Sequence, residues 1–240
     1  VSTQSTGSIS FEDVQNTILK LIMAKSGLTQ DEIDNSTEGE IKNGCLFLTK
    51  QEYKEKAFQQ REDFKFVIAK NLKAVSSYLF CESCLQLAFM PQVESIAVFA
   101  FLHCPLIAIC FLKVISIEEG AFCNCRELNQ VFLPVCEEFG EYCFDGCKNI
   151  KILDLPQAKT VSQLQFCGCS SLTDLIISQV KQISKDCFYK CDVLESIDSK
   201  LDVDQFRCTY DLCKEEKKCI ICRGKLQNCL KKGNNPQVYR

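Results

Sequence analysis

Groups able to do chemistry are unevenly supplied in this sequence. Of 240 residues, 19 are Cys, one is His and none is Trp. A single imidazole starves most designs that need histidine as a base or a metal ligand. Neither a glycine-rich phosphate loop nor a G-x-S-x-G or H-E-x-x-H motif is present. His103 directly precedes Cys104, at a place filled elsewhere by Ser83, Asn124, Gly146, Gly168 and Lys190. That is turn chemistry, and a surface imidazole is expected rather than a catalytic one. The chemically suggestive group is Cys208, Cys213, Cys219, Cys222 and Cys229, in which Cys219 and Cys222 form a C-x-x-C. A tetrahedral zinc site needs two such pairs or their equivalents. Cys213, Cys219, Cys222 and Cys229 are the candidate ligands, but the second pair is spread out. A redox role lacks the strand–helix context of such motifs. The expectation is no cofactor, with zinc as the alternative.

The elements that position these cysteines emerge from their spacing. Cys84, Cys104, Cys125, Cys147, Cys169, Cys191 and Cys213 stand 20, 21, 22, 22, 22 and 22 residues apart. Three places earlier stand Cys81, Phe101, Phe122, Phe144, Phe166, Phe188 and Tyr210, with Phe80 one place early in the first unit. Three places later stand Leu87, Ile107, Leu128, Ile150, Leu172, Leu194 and the exception Glu216; six later stand Met90, Cys110, Val131, Leu153, Leu175, Ile197 and Cys219. An upstream unit, Phe58, Arg61, Phe64 and Val67, continues the register with Arg at the anchor. Of these 32 positions 30 are apolar, twice what a 46% apolar composition predicts. The L-x-x-L-x-L portion has the period of a strand, and F-x-x-C reads as a tight turn or helical stub. A 22-residue unit with one short strand cannot bury its own apolar side, so units must stack into a solenoid with a parallel sheet.

At FCNCRELNQVFLP, FDGCKNIKILDLP and FCGCSSLTDLII the sequence resembles the treponemal-type, or BspA-like, leucine-rich repeat. The resemblance covers about residues 45 to 222. It implies an α/β leucine-rich-repeat solenoid of about eight units with short parallel strands on the concave face. It also implies a non-enzymatic interaction scaffold, often on microbial or protist surfaces, and no catalytic residues. Arg61, the short first spacings and Glu216 depart from the pattern, as end units do.

Three regions follow: a polar N-terminus and helical cap over residues 1–44, the solenoid over 45–222 and a basic, flexible tail over 223–240. In the first, Ser10 with Asp13 reads as a capping box before an apolar stripe of Phe11, Val14, Ile18, Leu21 and Ile22. Gly27 stops that helix, and Thr29 with Glu32 starts a short turn around Ile33. The helix is expected to shield the end of the core, or else to dock another protein. The net charge is −3, yet Lys214 to Arg240 carries eight Lys or Arg against two Glu. No aromatic interleaving accompanies those bases, so nucleic acid is not expected. The apolar run Ile96 to Leu112 is broken by His103 and Pro105 and belongs to the repeat, so no membrane span is expected.

Function in a solenoid belongs to the exposed face of its sheet. Counting from the anchors, Phe66, Ile68, Phe89, Ile109, Phe111, Phe132 and Ile152 are expected to point outward as one apolar patch. Asp154, Asp174 and Ile176 extend it toward an acidic end. Such a patch predicts binding of another protein or self-association, or else cover by the N-terminal helix or by local packing. Anchor cysteines are expected to be reduced core residues, since free Cys packs as a small hydrophobe. That reading goes with a cytoplasmic location. The alternative is a secreted or cell-surface adhesin stiffened by disulfides.

Overall fold

The computed structural model describes residues 11–184, 186–201 and 230–232. Two helices, α1 (Phe11–Ser26) and α2 (Gln30–Asp34), precede a hairpin of β1 (Ile41–Lys42) and β2 (Cys45–Phe47). Each following circuit contributes a longer strand and a two-residue one. In chain order these are β3 (Phe66–Ile68), β4 (Ala74–Val75), β5 (Leu87–Phe89), β6 (Ser95–Ile96), β7 (Ala108–Cys110), β8 (Ser116–Ile117) and β9 (Gln130–Phe132). Then come β10 (Glu138–Phe139), β11 (Ile152–Asp154), β12 (Thr160–Val161), β13 (Asp174–Ile176), β14 (Gln182–Ile183), β15 (Ser196–Ser199) and β16 (Leu230–Lys232). The longer strands pair in parallel as β2-β3-β5, β7-β9 and β11-β13-β15-β16. The short ones form a second wall, β4-β6-β8-β10 and β12-β14. Strand β16 lies within the stretch assigned to the tail; the last repeat unit, with Tyr210, Cys213 and Glu216, lies outside the described residues. So does Ser10, and with it the first capping box.

In the described circuits hydrogen-bonded turns, not helices, link the two walls. Their geometry explains the residue found before each anchor. Gln60, Glu82, His103, Asn124, Gly146, Gly168 and Lys190 all adopt φ between 56° and 70°. This left-handed conformation is free for Gly and tolerated by Asn, whereas other side chains adopt it at a cost. His103 is exposed at such a turn.

Inside, the columns are regular. Phe58, Phe80, Phe101, Phe122, Phe144, Phe166 and Phe188 stack face to face, with centroids 5.3 to 6.3 Å apart and planes within 14°. Each buried ring contributes roughly 1.5–3 kcal/mol through removal from water. Arg61 lies over the end of the stack, 5.7 Å from Phe58 and 5.4 Å from Phe64, which gives the departure at the first anchor a physical role.

The thiols add a second ladder. Cys104, Cys125, Cys147, Cys169 and Cys191 donate S–H bonds to the carbonyls of Phe80, Phe101, Phe122, Phe144 and Phe166, at 2.9 to 3.2 Å. A thiol is small enough for the tightest part of the turn and spends its weak donor on the preceding circuit. Burial pushes the Cys104 thiol up to about 12. Among the described residues all fourteen cysteines are free.

This ladder corrects the register of the early circuits. Phe80, not Cys81, belongs to the aromatic column, so Ser83, 2% exposed, is the anchor and Cys84 sits half-buried beside it. The Ser83 hydroxyl meets the Cys104 thiol at 3.6 Å. The circuits from Phe80 and Phe101 each lack one residue between anchor and strand. Leu85 and Leu106 therefore fill the core column expected for Leu87 and Ile107. A one-residue shift turns every strand side chain to the other face.

Candidate interaction face

On the longer strands the middle residue points into the core and its two neighbours point out. The inward set is Leu46, Val67, Ala88, Ile109, Val131, Leu153, Leu175 and Ile197. Ile109 and Phe111 are thus corrected: both lie in the interior, 4% and 2% exposed, because their circuit is one residue short. The residues that replace them outside are Leu87, Ala108 and Cys110. Missing them followed from counting full-length circuits; the shorter early spacings, with Leu85 and Leu106 only two places after Ser83 and Cys104, are the signal that would have found them.

The outward side chains of β2, β3, β5 and β7 form a second apolar cluster, separate from the interior. Phe47, Phe66, Ile68, Leu87, Phe89, Ala108 and Cys110 pack there against Ile18 and Ile22 of α1, Leu28, and Ile33 of α2. The N-terminal helix therefore covers the sheet's outer face rather than shielding the end of the core. Phe66, Ile68 and Phe89 lie outward as expected, but at 6%, 2% and 8% exposure they are closed to any partner. Desolvation under this cover pushes the Cys45 and Cys110 thiols up to about 12.

Polar contacts fasten the cover at its edge. Thr29 and Glu32 form the expected capping box at the start of α2. Lys42 of β1 reaches Glu32 at 2.7 Å, and Lys70 reaches Asp34 at 2.5 Å. The bond from Lys42, then those from the Thr29 backbone and hydroxyl, hold the Glu32 carboxyl down at about 2. The bond from Lys70 also lowers Asp34. Gly27, at φ +71°, supplies the bend between the helices.

Beyond α1 the same sheet is open. Phe132, Asp154, Asp174 and Ile176 are half-buried and Ile152 is 50% exposed. Phe132 stands on β9 and the others on the paired strands β11 and β13, where Asp174 lies beside Ile152 and Ile176 beside Asp154. A groove of about 490 Å³ separates them from α1. Its helical wall is Asp13, Val14, Thr17, Ile18 and Leu21; its floor includes Phe132, Ile152, Asp154 and Ile176. Leu21, expected in the buried stripe, is instead 37% exposed at this wall. A wider depression of about 650 Å³ over the second wall is lined by Glu118, Glu119 and Glu138 among others.

Among the described residues no three His, Cys, Asp or Glu side chains converge to hold a metal. The zinc candidates Cys213, Cys219, Cys222 and Cys229 lie outside them. No described helix is long and apolar enough to cross a membrane, and Ile96 to Leu112 runs from β6 through a turn into β7.

A family model described as BspA type leucine-rich repeat region matches residues 51–137 and 94–210, with six copies. No curated protein matches. Among solved structures, a leucine-rich repeat protein of T. pallidum is 21% identical, with a TM-score of 0.51 over 59% of this chain and 71% of that one. One from Bacteroides ovatus is 17% identical, with a TM-score of 0.44 over 57% of this chain and 49% of that one.

Proposed function

Since the chain belongs to the BspA-type leucine-rich-repeat family, we propose that it is a non-enzymatic scaffold binding a protein partner on its concave sheet. The partner docks on the open strands β9, β11 and β13, through Phe132, Ile152, Asp154, Asp174 and Ile176. The observation that carries this reading is the contrast along one face: α1 buries the apolar outer residues of β3 to β7, while Ile152 remains 50% exposed and Phe132 and Ile176, on the strands to either side, are only half-buried. Monomers rarely leave a contiguous apolar patch open. Affinity capture with the wild type and with Ile152→Asp/Ile176→Asp tests it. Partners lost from the variant, with its circular dichroism unchanged, support the reading; the same proteins held equally by both sink it.

The same proposal places the protein in a reducing, cytoplasmic setting. Support comes from the anchor thiols, each engaged with a backbone carbonyl of the preceding circuit. Counting thiols under denaturing conditions should return a value near the 19 of the sequence. A count well below that favours the surface adhesin with disulfides.

A further inference from the structure

We propose that the occupant of the groove is an amphipathic helix with basic flanks, lying beside α1 as the next member of a helical layer over the sheet. This rests on the binding face proposed above and names its partner's chemistry.

The argument is one of spacing. Helix α1 rests on β5 and β7, and its flank residues Asp13, Val14, Thr17 and Leu21 line one side of the groove along its length. Packed helices stand about 8–10 Å apart, and neighbouring strands stand about 4.8 Å apart. A helix packed on the open flank of α1 is therefore two strands further on, over β9 and β11. There the floor offers Phe132 and Ile152, with Ile176 on the next strand, and the wall offers Val14 and Leu21. An apolar stripe at i, i+3, i+4 and i+7 reaches both surfaces at once. An extended strand finds no gap to enter, because β9 and β11, although not hydrogen-bonded to each other, already lie side by side.

Charge selects the flanks of the incoming helix. Asp154 lines the floor beside Ile176, Asp174 is paired with the floor residue Ile152, and Asp13 stands on the wall. Acidic side chains on a docking helix would meet these carboxylates in a partly desolvated groove, whereas Lys or Arg would complement them. The chain already fills the first half of this face with a helix of 16 residues, so the surface accepts helical curvature.

The test uses the full chain and three synthetic 16-residue peptides. One carries a Leu stripe at helical spacing with Lys on both flanks; the second is its scramble; the third has Glu in place of Lys. The expected result is micromolar binding of the first alone, weakened at least ten-fold by Ile152→Asp. Asp154→Lys/Asp174→Lys should transfer the preference to the Glu peptide, and Glu119→Lys on the opposite wall should change nothing. Equal binding of the scramble, or indifference to Ile152→Asp, overturns the proposal. So does sedimentation showing a wild-type dimer that Ile152→Asp dissolves, since a second copy then occupies the groove. If no peptide binds the wild type while Ile152→Asp/Ile176→Asp still loses its captured partners, the helical occupant falls and the binding face stands.

Discussion

The two halves of the sheet's outer face carry the same geometry and opposite chemistry. On β3, β5 and β7 the outward residues are Phe66, Ile68, Leu87, Phe89, Ala108 and Cys110, with no polar member, and α1 covers them. On β9, β11 and β13 they are Gln130, Phe132, Ile152, Asp154, Asp174 and Ile176, mixing apolar and acidic groups, and the face is open. The first half functions as a second core, in which every contact adds to stability. The second half tolerates water and retains enough apolar area to reward a partner. If the proposed function holds, the solenoid separates folding from recognition along its axis, although its circuits share one plan.

Breaking the cover should produce the largest change. Ile22, fully buried on the sheet-facing side of α1, becomes a buried charge in Ile22→Asp and lifts the helix from the sheet. Cys45 and Cys110, held at about 12 by burial, should then react with iodoacetamide at pH 8 up to about a thousand-fold faster, because the thiolate is the nucleophile. Mass spectrometry of the alkylated protein reads this site by site. Unchanged rates at both thiols would mean that α1 does not seal the face. In urea titrations the milder Ile22→Ala should cost about 3 kcal/mol, as expected for a large-to-small change in a core.

A smaller loss is expected inside the circuits that both halves share. Cys147→Ala removes the thiol that bonds Phe122 at 3.2 Å and leaves a small void. It should cost about 1–2 kcal/mol, with Cys147→Ser recovering part of it through its hydroxyl.

Acid should act on the covered half first. The Glu32 carboxyl, ordinarily near 4.5, is held at about 2. A carboxylate with a depressed folded value contributes stability that is fully present above its unfolded value and is lost as pH falls through the folded one. The contribution is therefore lost between about pH 4.5 and 2, and Asp34 adds in the same direction. Hydrogen exchange at α2 should accelerate over that window, while amides of β11 and β13 stay protected. Glu32→Gln should flatten this dependence. The smallest effect belongs to the open half: Ile152→Asp, at 50% exposure, should alter stability by no more than about 0.5 kcal/mol. A loss comparable to that of Ile22→Ala would erase the distinction between the halves.

Much of this was legible before any coordinates. From Phe122 to Ile197 the aromatic column, the anchor cysteines and the strand positions follow one spacing, and each of those residues lies where that spacing puts it. In the circuit that begins at Phe80 the alternatives were degenerate. Phe80 and Cys81 are both apolar, as are Leu85 and Leu87, so counting could not locate the missing residue. The Phe101 circuit hides its missing residue likewise: counting a full circuit from Cys104 turns Ile109 and Phe111 outward, assigns Leu87 and Cys110 to inward columns and leaves Ala108 unassigned. The stripe on α1 was readable too, except that Leu21 serves the groove wall and not the buried side.

The repeat itself was determined by the sequence, because a unit that cannot bury its own apolar side must stack, and stacking demands like residues at like places. The tertiary structure alone decided which face each early strand turns outward, since packing resolves a one-residue ambiguity that the apolar pattern leaves open. It also decided that half of the apparent binding face belongs to α1. That contact joins residues distant in the chain through apolar burial, which has no preferred direction and leaves no spacing to read.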